Sequence, residues 1–261
     1  MPEGDTIHAL ARRLRVALVP GTVEHLAARS PGPRPGAGTS IDEVGARGKH
    51  LLVSFGDDLT LHLHLGMEGS VRLTTPDRAP GVRMGPPHRG VVAVLVTDRA
   101  AAVGRGLAVA EVLDPSALRR HPVLARLGPD LCDPDPDLDE VLRRLAAAPG
   151  DTPVGVALLD QRVAAGIGNV YRSEVLWAER VAPDRPLARL DDERRRALYA
   201  TAHRLLRANL GDRPRRTVPT GLAVYERAGR RCPRCSGTIT STRLGEQARS
   251  VWWCPACQTP A

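Results

Sequence analysis

Aromatic residues are scarce in this 261-residue sequence, and long apolar runs are missing. Phe, Tyr and Trp make up 3% of the residues, so a core must be built mainly from Leu, Val and Ala. No apolar run approaches the roughly 18 residues that a membrane span needs, and the early acidic residues Glu3 and Asp5 argue against a signal peptide. We therefore expect a globular, cytoplasmic protein with no membrane partner.

Lysine is almost absent, although the sequence is strongly basic. The net charge is +8 and the isoelectric point is about 10.0, which indicates a polyanionic partner, nucleic acid first, although many soluble proteins are also basic. Lys49 is the only lysine among 37 basic residues. An ammonium is a compact point charge and a guanidinium is a wide fork. Lys49 therefore either does something that arginine cannot do, or survives by chance in the composition of a GC-rich genome.

The first half of the sequence changes from a helical period to a period of two. A helix is predicted to begin near Asp5 as N-cap and to bury one apolar face, formed by Ile7, Leu10, Ala11, Leu14 and Leu18. Residues 41–113 then read as strands of an antiparallel β-sandwich; in 59–65, for example, leucines alternate with Thr60, His62 and His64 as in a half-buried strand. The Pro- and Gly-rich stretch 76–90 is predicted to be a long loop.

Helical patterns dominate from Pro115 onward. The candidate helices are 115–126, 137–147, 152–163, 170–180 and 191–209. Two glycines in 164–169 permit a tight turn between two helices. The predicted fold class is α+β, with an N-terminal helix and β-sandwich in 1–114, a helical domain in 115–228 and a zinc ribbon in 229–261.

Four of the five cysteines form two C-x2-C pairs, Cys232 with Cys235 and Cys254 with Cys257. Their spacing is typical of a hairpin that places four thiolates at the corners of a tetrahedron. Two disulfides or a redox pair are the alternatives, and a cytoplasmic compartment argues against disulfides. The sequence therefore predicts one Zn²⁺ ion with no open position, which makes it structural. Cys132 lies far from these pairs and is expected to be an ordinary buried thiol.

Pro2 is a candidate nucleophile because removal of Met1 would expose its secondary amine. An α-amino group titrates near pH 8, so roughly a fifth of it is unprotonated at pH 7.4. Its attack on the anomeric carbon of a sugar gives an iminium cation, which would drive elimination of phosphate. The adjacent Glu3 could protonate the sugar ring oxygen. Met-Pro-Glu openings are also common by chance.

Five motifs resemble, in order along nearly the whole chain, the formamidopyrimidine-DNA glycosylase and endonuclease VIII family. They are Pro2-Glu3-Gly4-Asp5-Thr6-Ile7, Gly48-Lys49-His50-Leu51-Leu52, His64-Leu65-Gly66-Met67-Glu68-Gly69-Ser70, the stretch 159–171 and the cysteine segment 232–257. The Pro-Glu-Gly opening is similar to the endonuclease VIII branch. The resemblance implies a β-sandwich, a helix-two-turn-helix domain and a zinc ribbon, in a monomeric bacterial enzyme associated with the nucleoid.

The resemblance also implies an activity, that of a bifunctional DNA glycosylase and abasic-site lyase of base excision repair. Its partner would be double-stranded DNA with a damaged base or an abasic site. Pro2 would form a Schiff base that leads to β,δ-elimination, Glu3 would donate the proton, and Lys49 would hold the phosphate or leaving group beside the lesion.

Four further residues would bind DNA if the resemblance holds. Asn169, at a helix N-terminus, and Arg249, on the zinc ribbon, would bind backbone phosphates. Met67 would fill the gap left by the flipped nucleotide, although without the family it is interpreted as a core residue or as a filler beside a turn. Arg105 would support this wedge. Arg249 alone could equally be a solvated arginine.

Two departures from the formamidopyrimidine branch favour oxidised pyrimidines over purines as substrates. Residues 102–106 carry no aromatic to support the wedge, and the stretch before Cys232 leaves little room for a loop that caps a purine. Two alternative functions remain: a non-catalytic damaged-DNA-binding protein on the same scaffold, and a zinc-ribbon factor that binds RNA or the ribosome. The N-terminal motif and the β-rich half would have no role in the latter.

Overall fold

The chain divides into two compact units, Met1–Arg126 and Leu127–Ala261. The structure, a computed structural model, describes residues 2–80, 90–211 and 213–258. Most of the loop predicted over 76–90 therefore lies outside the described residues, and its first part, Pro76–Arg78, is a single 3-10 turn.

The first unit begins with helix α1, Gly4–Leu18, whose predicted apolar face is buried. Glu3, and not Asp5, is the N-cap residue, so the predicted start is displaced by two residues. Eight strands follow: Val23–Ala28 (β1), Ile41–Arg47 (β2), His50–Phe55 (β3), Thr60–His64 (β4), Ser70–Thr74 (β5), Val91–Thr97 (β6), Ala101–Arg105 (β7) and Val109–Leu113 (β8).

The eight strands form two four-stranded antiparallel sheets, which confirms the predicted β-sandwich. One sheet has the order β1-β6-β7-β5 and the other the order β2-β3-β4-β8. A single core joins them to the apolar face of α1 and is built from Leu, Val and Ala, with Phe55 as its only aromatic residue. Aliphatic side chains thus fill the core in place of aromatic ones.

Strand β4 departs from its predicted half-buried pattern. Thr60 and His62, which the alternation assigned to a solvent face, are 5% and 1% exposed. β4 is an inner strand between β3 and β8, and polar side chains of the neighbouring strands cover its second face. The polar residues of β4 are therefore buried in hydrogen bonds, as described below.

The second unit is mainly helical. Its helices are Leu138–Leu145 (α3), Val154–Ala157 (α4), Asn169–Ala178 (α5) and Asp192–Ala208 (α6), while Pro115–Arg119 (α2) ends the first unit. A two-stranded antiparallel hairpin, Thr240–Leu244 (β9) and Arg249–Trp253 (β10), carries the C-terminal cysteines. Within the described ranges, no helix is long and apolar enough to cross a membrane.

Two predicted helices are shorter than expected. The helix predicted over 115–126 is α2 followed by a 3-10 turn, Leu124–Arg126, and the one predicted over 152–163 is α4 alone. The amide of Gly155 bonds to the carbonyl of Pro183 at 2.9 Å. A Cβ on Gly155 would come within 2.8 Å of that carbonyl oxygen. The first turn of α4 is therefore packed closely against the segment at Pro183.

Candidate functional site

Pro2 and Glu3 lie at the start of α1. Pro2 is half-buried, and Glu3 is fully buried in the N-cap position with extended backbone angles. Its carbonyl accepts a hydrogen bond from the amide of Ile7 at 3.1 Å. A carboxylate at this position is favoured by the positive end of the helix dipole.

Lys49 lies in the tight turn between β2 and β3. Gly48, beside it, has φ +57°, which is the left-handed region that favours glycine. The turn closes directly onto the pair Arg47 and His50, which are partners in the β2–β3 register. Lys49 is half-buried there.

Helix α1 and strand β2 run in opposite directions, as two contacts show. The amide of Ile41 bonds to the carbonyl of Gly21 at 2.8 Å, and Nε of Arg15 bonds to the carbonyl of Val44 at 2.8 Å. From Arg15 back to the start of α1 is about 16 Å at helical rise. From Val44 forward to Lys49 is a similar distance, about 16 Å, at strand rise. The N-terminus of α1 and the Lys49 turn therefore lie at the same end of the unit.

Met67 is 74% exposed in the turn between β4 and β5. The turn is closed by a hydrogen bond from the amide of Gly69 to the carbonyl of Leu65 at 3.1 Å. A Cβ on Gly69 would lie 2.1 Å from that carbonyl oxygen, so only glycine fits. The turn thus presents a large apolar side chain to solvent, which excludes the alternative that Met67 is a core residue.

Arg105 ends strand β7 next to the Met67 turn. It is exposed and pairs with Ser70, the first residue after the turn. The carbonyl oxygen of Gly106 lies 3.0 Å from the position that a Cβ on Gly69 would take. The turn that carries Met67 and the one that follows Arg105 are therefore in direct contact.

A chain of hydrogen bonds crosses the second sheet beside the Lys49 turn. Nδ1 of His50 lies 2.8 Å from Nε2 of His62, and Nδ1 of His62 lies 2.8 Å from Oε1 of Glu111. Nε2 of His121 lies 3.0 Å from the same carboxylate oxygen. The ring of His64 is 4.8 Å from that of His50, centroid to centroid. No local sequence pattern connects these residues, which lie on three strands and a loop.

Three of these imidazoles are held neutral. Burial, together with the charges of neighbouring His62, His64, His121 and Lys49, lowers the pKa of His50 to about 3. Burial also lowers the pKa of His62, although its hydrogen bond to Glu111 acts in the opposite direction. Burial and the charge of Lys49 lower the pKa of His64. The charge of Lys49 therefore disfavours the protonated form of both His50 and His64.

In the second unit, Asn169 is the first residue of α5 and its side chain contacts the ribbon hairpin. Its Nδ2 donates to the carbonyl of Ser250 at 2.8 Å. The guanidinium of the fully buried Arg172 donates to Oδ1 of Asn169 and to the carbonyl of Ser250, the latter at 2.7 Å. It also bonds to the carbonyl of Arg249 at 3.3 Å. Arg172, which sequence reasoning missed, brings Asn169 and the exposed Arg249 together.

Glu174, a second missed residue, organises the segment before the ribbon. Its fully buried carboxylate accepts hydrogen bonds from the Thr217 hydroxyl and from three consecutive amides, those of Ala223, Val224 and Tyr225, at 2.8–2.9 Å. A carboxylate with this many donors fixes the backbone around it. Glu174 is the one acidic residue of α5, and this was the only sign of its role in the sequence.

The four ribbon cysteines converge on one point. The sulfurs of Cys232 and Cys257 are 3.8 Å apart, those of Cys235 and Cys254 are 3.5 Å apart, and all four lie within 4.8 Å of one another. Sulfurs bound tetrahedrally at about 2.3 Å from one ion would be about 3.8 Å apart. The four residues can therefore hold a metal ion. Cys132, outside this group, is buried as predicted.

The thiols of this cluster cannot all ionise without a cation. Burial and the adjacent thiols raise the pKa of Cys257 to about 12. Burial acts in the same direction on Cys232, but hydrogen bonds from Trp177 and from the amides of Arg234 and Cys235 outweigh it and lower its pKa to about 6. A bound dication would favour all four thiolates.

The ribbon is anchored to the helical part of the same unit. The side chain of Gln258 accepts a hydrogen bond from the amide of Cys254 at 2.8 Å and donates to the carbonyl of Val181 at 2.9 Å. The guanidinium of Arg234 stacks over the ring of Trp177 at 4.0 Å. These contacts hold the cysteine cluster against α5.

An antiparallel sandwich with a helix at its N-terminus, followed by a helical unit with a four-cysteine ribbon, is the architecture of a class of DNA-repair glycosylases. The N-terminal domain of formamidopyrimidine-DNA glycosylase matches residues 1–103, and the helix-two-turn-helix domain of the same enzymes matches residues 127–216. The chain belongs to the formamidopyrimidine-DNA glycosylase family.

Several proteins are similar to this chain along nearly its whole length. A probable endonuclease 8 2 of Streptomyces coelicolor is 41% identical over 99% of this chain and 94% of its own length. The DNA-(apurinic or apyrimidinic site) lyase Nei2 of Mycolicibacterium smegmatis is 39% identical over 99% of both. The fold is similar to that of a Lactococcus lactis enzyme of this family, solved in complex with DNA containing an abasic site, with a TM-score of 0.80, 23% identity and coverage of 98% and 99% of the two chains.

Proposed function

We propose that Pro2, exposed by removal of Met1, is the nucleophile with which this chain excises oxidised pyrimidines and cleaves abasic sites in double-stranded DNA. Membership of the family makes the chain a DNA glycosylase and lyase of base excision repair. The observation that carries the choice of nucleophile is the packing of α1 on β2, from which Pro2 and Lys49 come to one end of the first unit.

The chemistry needs a neutral amine, a proton donor and a cation close together. The nitrogen of Pro2 adds to the anomeric carbon as the base leaves, and Glu3 protonates the ring oxygen, which opens the sugar to an iminium. The iminium acidifies the neighbouring carbon, and loss of its proton expels one phosphate; a second elimination expels the other. Lys49 holds the leaving phosphate by its charge.

Contacts to DNA come from both units in this proposal. Met67 fills the stack where the damaged nucleotide is extruded, which fits its exposure and the rigid turn that carries it. Arg105 supports that turn. Asn169 and Arg249, joined through Arg172, bind backbone phosphate. The preference for pyrimidines rests on the lack of an aromatic residue beside Arg105.

We further propose that the four-cysteine cluster holds one structural Zn²⁺ ion. Four sulfur donors at tetrahedral separations fit this ion and leave no position for a water or substrate. The ion would fix the β9–β10 hairpin, from which Arg249 extends. The division into 1–114, 115–228 and 229–261, the monomeric state and an association with the bacterial nucleoid are parts of the same proposal.

Borohydride trapping tests the nucleophile. The protein would be incubated with duplexes that carry an abasic site or an oxidised thymine, reduced with borohydride, and analysed on a denaturing gel. We expect a covalent adduct that peptide mass spectrometry maps to Pro2, and none with Pro2→Gly. Failure to trap an adduct with zinc-loaded wild-type protein that lacks Met1 would reject the lyase mechanism and favour a damage-binding protein.

A further inference from the structure

One face of α5 carries side chains that contact the ribbon. Four residues spaced at i, i+3, i+4 and i+8 lie on this side of the helix: Asn169, Arg172, Ser173 and Trp177. Asn169 and Arg172 bond to the carbonyl of Ser250, as described above. The hydroxyl of Ser173 accepts a hydrogen bond from the amide of Trp252 at 3.3 Å. The fourth side chain of this face reaches the cysteine cluster.

The indole of Trp177 donates a hydrogen bond to a cysteine sulfur. Its Nε1 lies 3.3 Å from Sγ of Cys232, and the amides of Arg234 and Cys235 bond to the same sulfur. An indole N–H can only donate, so the sulfur is the acceptor. A cysteine that binds a metal ion is a thiolate, and a hydrogen bond to an ionised acceptor is stronger than one to a neutral acceptor. The contact should therefore strengthen when the metal is bound.

The position of the indole is itself fixed. Trp177 is 8% exposed and packs in one apolar cluster with Cys232, Ile239 and Cys254. The guanidinium of Arg234 stacks on the ring, 4.0 Å from its centroid, and donates to the carbonyl of Trp177 at 2.7 Å. These contacts leave the indole N–H little freedom to turn away from the sulfur.

The same pair of side chains places positive charge beside the cluster. A dication held by four thiolates leaves a net negative charge at a largely buried site, which is costly to bury without compensation. Nη1 of Arg234 lies 3.9 Å from Sγ of Cys257, and the positive end of the Trp177 N–H dipole points at Cys232. Hydrogen-bond donors around a metal site offset such charge and orient the ligands.

We propose that Trp177 is a positioning residue for the metal site, whose indole N–H supports the Cys232 ligand and fastens the first cysteine pair to the C-terminal end of α5. The inference rests on the proposed function, in which the cysteines bind Zn²⁺ and Arg249 binds phosphate. Asn169 and Arg172 hold β10 at the first turn of α5, and Trp177 holds the metal site about 12 Å further along at helical rise. Zinc binding at one end of α5 thereby sets the place of Arg249 at the other.

The first test detects the hydrogen bond in the wild-type protein. ¹¹³Cd, which thiolates also bind, would replace zinc in ¹⁵N-labelled protein. A proton that is hydrogen-bonded to a metal-bound sulfur shows scalar coupling to the cadmium nucleus. The sequence contains three tryptophans. We expect the indole proton of one of them to show this coupling, and this signal to be missing from the spectrum of Trp177→Phe.

The amides of Arg234 and Cys235 provide the internal reference, because they bond to the same sulfur as the indole. Coupling from these amides without coupling from the Trp177 indole would overturn the proposal. Wild-type protein that binds neither zinc nor cadmium by elemental analysis would instead reject the proposed metal site, and the role of Trp177 with it.

The second test separates the N–H group from the ring. Trp177→Phe keeps an aromatic ring and loses the donor. Trp253→Phe is the matched control, because Nε1 of Trp253 is buried and has no hydrogen-bond partner among the described residues. Affinity for an abasic-site duplex would be measured by fluorescence anisotropy over a series of buffered free-zinc concentrations.

We expect Trp177→Phe to need about tenfold more free zinc than the wild type for half-maximal DNA binding, the lower end of the usual effect of removing a partner of a metal ligand. At saturating zinc its DNA affinity should equal that of the wild type, because the bound metal restores the ribbon. Trp253→Phe should match the wild type at every zinc concentration.

Two results of this second test would count against the inference. Equal zinc dependence of Trp177→Phe and the wild type would show that the indole only fills space. A loss of affinity that persists at saturating zinc would show that Trp177 acts through the packing of α5 and not through the metal site. DNA binding by the wild type that does not depend on zinc would reject the proposed role of the ribbon, even where the cadmium coupling is present.

Discussion

Arg15 bonds through Nε to the backbone carbonyl of Val44, and together with the hydrogen bond between Ile41 and Gly21 this contact shows the direction in which α1 lies across the second sheet. Because the helix runs against the strand, its first residues reach the turn that carries Lys49. Pro2 and Lys49, 47 residues apart in the sequence, therefore come to the same end of the first unit through the packing of α1 on β2.

Lys49→Arg should slow strand cleavage by about tenfold or more, while the borohydride adduct still forms. The guanidinium keeps the charge, but its planar fork does not fit where a compact ammonium fits. The measurement is single-turnover cleavage of an abasic-site duplex, with Arg47→Lys in the same hairpin as control. Equal rates for Lys49→Arg and the wild type would contradict the role of the ammonium.

Met67→Ala should reduce excision from duplex DNA by roughly tenfold and leave cleavage of a single-stranded abasic site unchanged. Only duplex DNA has a gap in its base stack for the side chain to fill. Unstacking a base costs a few kcal/mol, and the apolar contact that the substitution removes offsets part of this cost. Val16→Ala, at an equally exposed apolar position (73%), is the control. A loss of the same size on both substrates would argue for a general binding defect and against a wedge.

Arg249→Ala should weaken binding to all duplexes alike and reduce the slope of log K against log salt concentration by about 0.9, the value for one phosphate contact. Arg243, also exposed and on the other strand of the same hairpin, provides the matched control as Arg243→Ala. Titrations by fluorescence anisotropy at several salt concentrations measure both. Indistinguishable slopes for the two variants would show that Arg249 does not contact a phosphate.

Removal of the metal should unfold the ribbon and abolish DNA binding, because the bonds from the ion to its four cysteines are lost. We expect one zinc per chain by elemental analysis, and loss of it in Cys257→Ser together with a drop in the melting temperature. Cys132→Ala should keep the zinc, since Cys132 lies outside the cluster. Full DNA affinity in a metal-free sample would contradict a structural role.

The buried histidines should make the first unit less stable in mild acid. The pKa of His50 is lowered from 6.5 to about 3 by folding, so the unfolded chain binds a proton that the folded chain does not. The free energy of unfolding is therefore highest above pH 6.5 and decreases as the pH drops below this value. From His50 alone, the decrease is about 2 kcal/mol at pH 5. His62 and His64 act in the same direction.

Thermal melts between pH 8 and pH 5 check this expectation. His50→Asn, whose amide can still donate to His62, should show a flatter dependence of melting temperature on pH than the wild type. The zinc ribbon is the same in both proteins, so acid release of the metal does not affect the difference between them. Parallel curves would mean that His50 titrates normally.

The features that could be predicted from sequence are those that a local pattern encodes. The apolar face of α1, the sandwich and the cysteine pairs each follow from spacing alone, and the structure has them. The buried face of β4 could not be predicted, because His62 reads as a surface residue until Glu111 and His121 are known to cover it. Hydrogen bonds between residues that are distant in the sequence produce no periodic pattern from which they could be predicted.

The same limit explains the two missed residues of the second unit. Arg172 and Glu174 are charged yet fully buried, and apart from Asn169 the residues that satisfy them lie between 17 and 78 positions away along the chain. Helical periodicity places both on α5 but cannot distinguish a solvated charge from one that bonds to distant backbone. The contact between Gly155 of α4 and Pro183 is likewise a long-range one that the local sequence does not reveal.

The position of the only lysine of the sequence, Lys49, in the β2–β3 turn also has a consequence for chemical labelling. Amine-reactive reagents can modify only the chain's N-terminus and its single lysine, because every other basic side chain is an arginine or a histidine. Reductive methylation or acylation would therefore act on the two amines at one end of the first unit. Protection of both by bound abasic-site DNA would turn an ordinary labelling experiment into a footprint of the reaction centre.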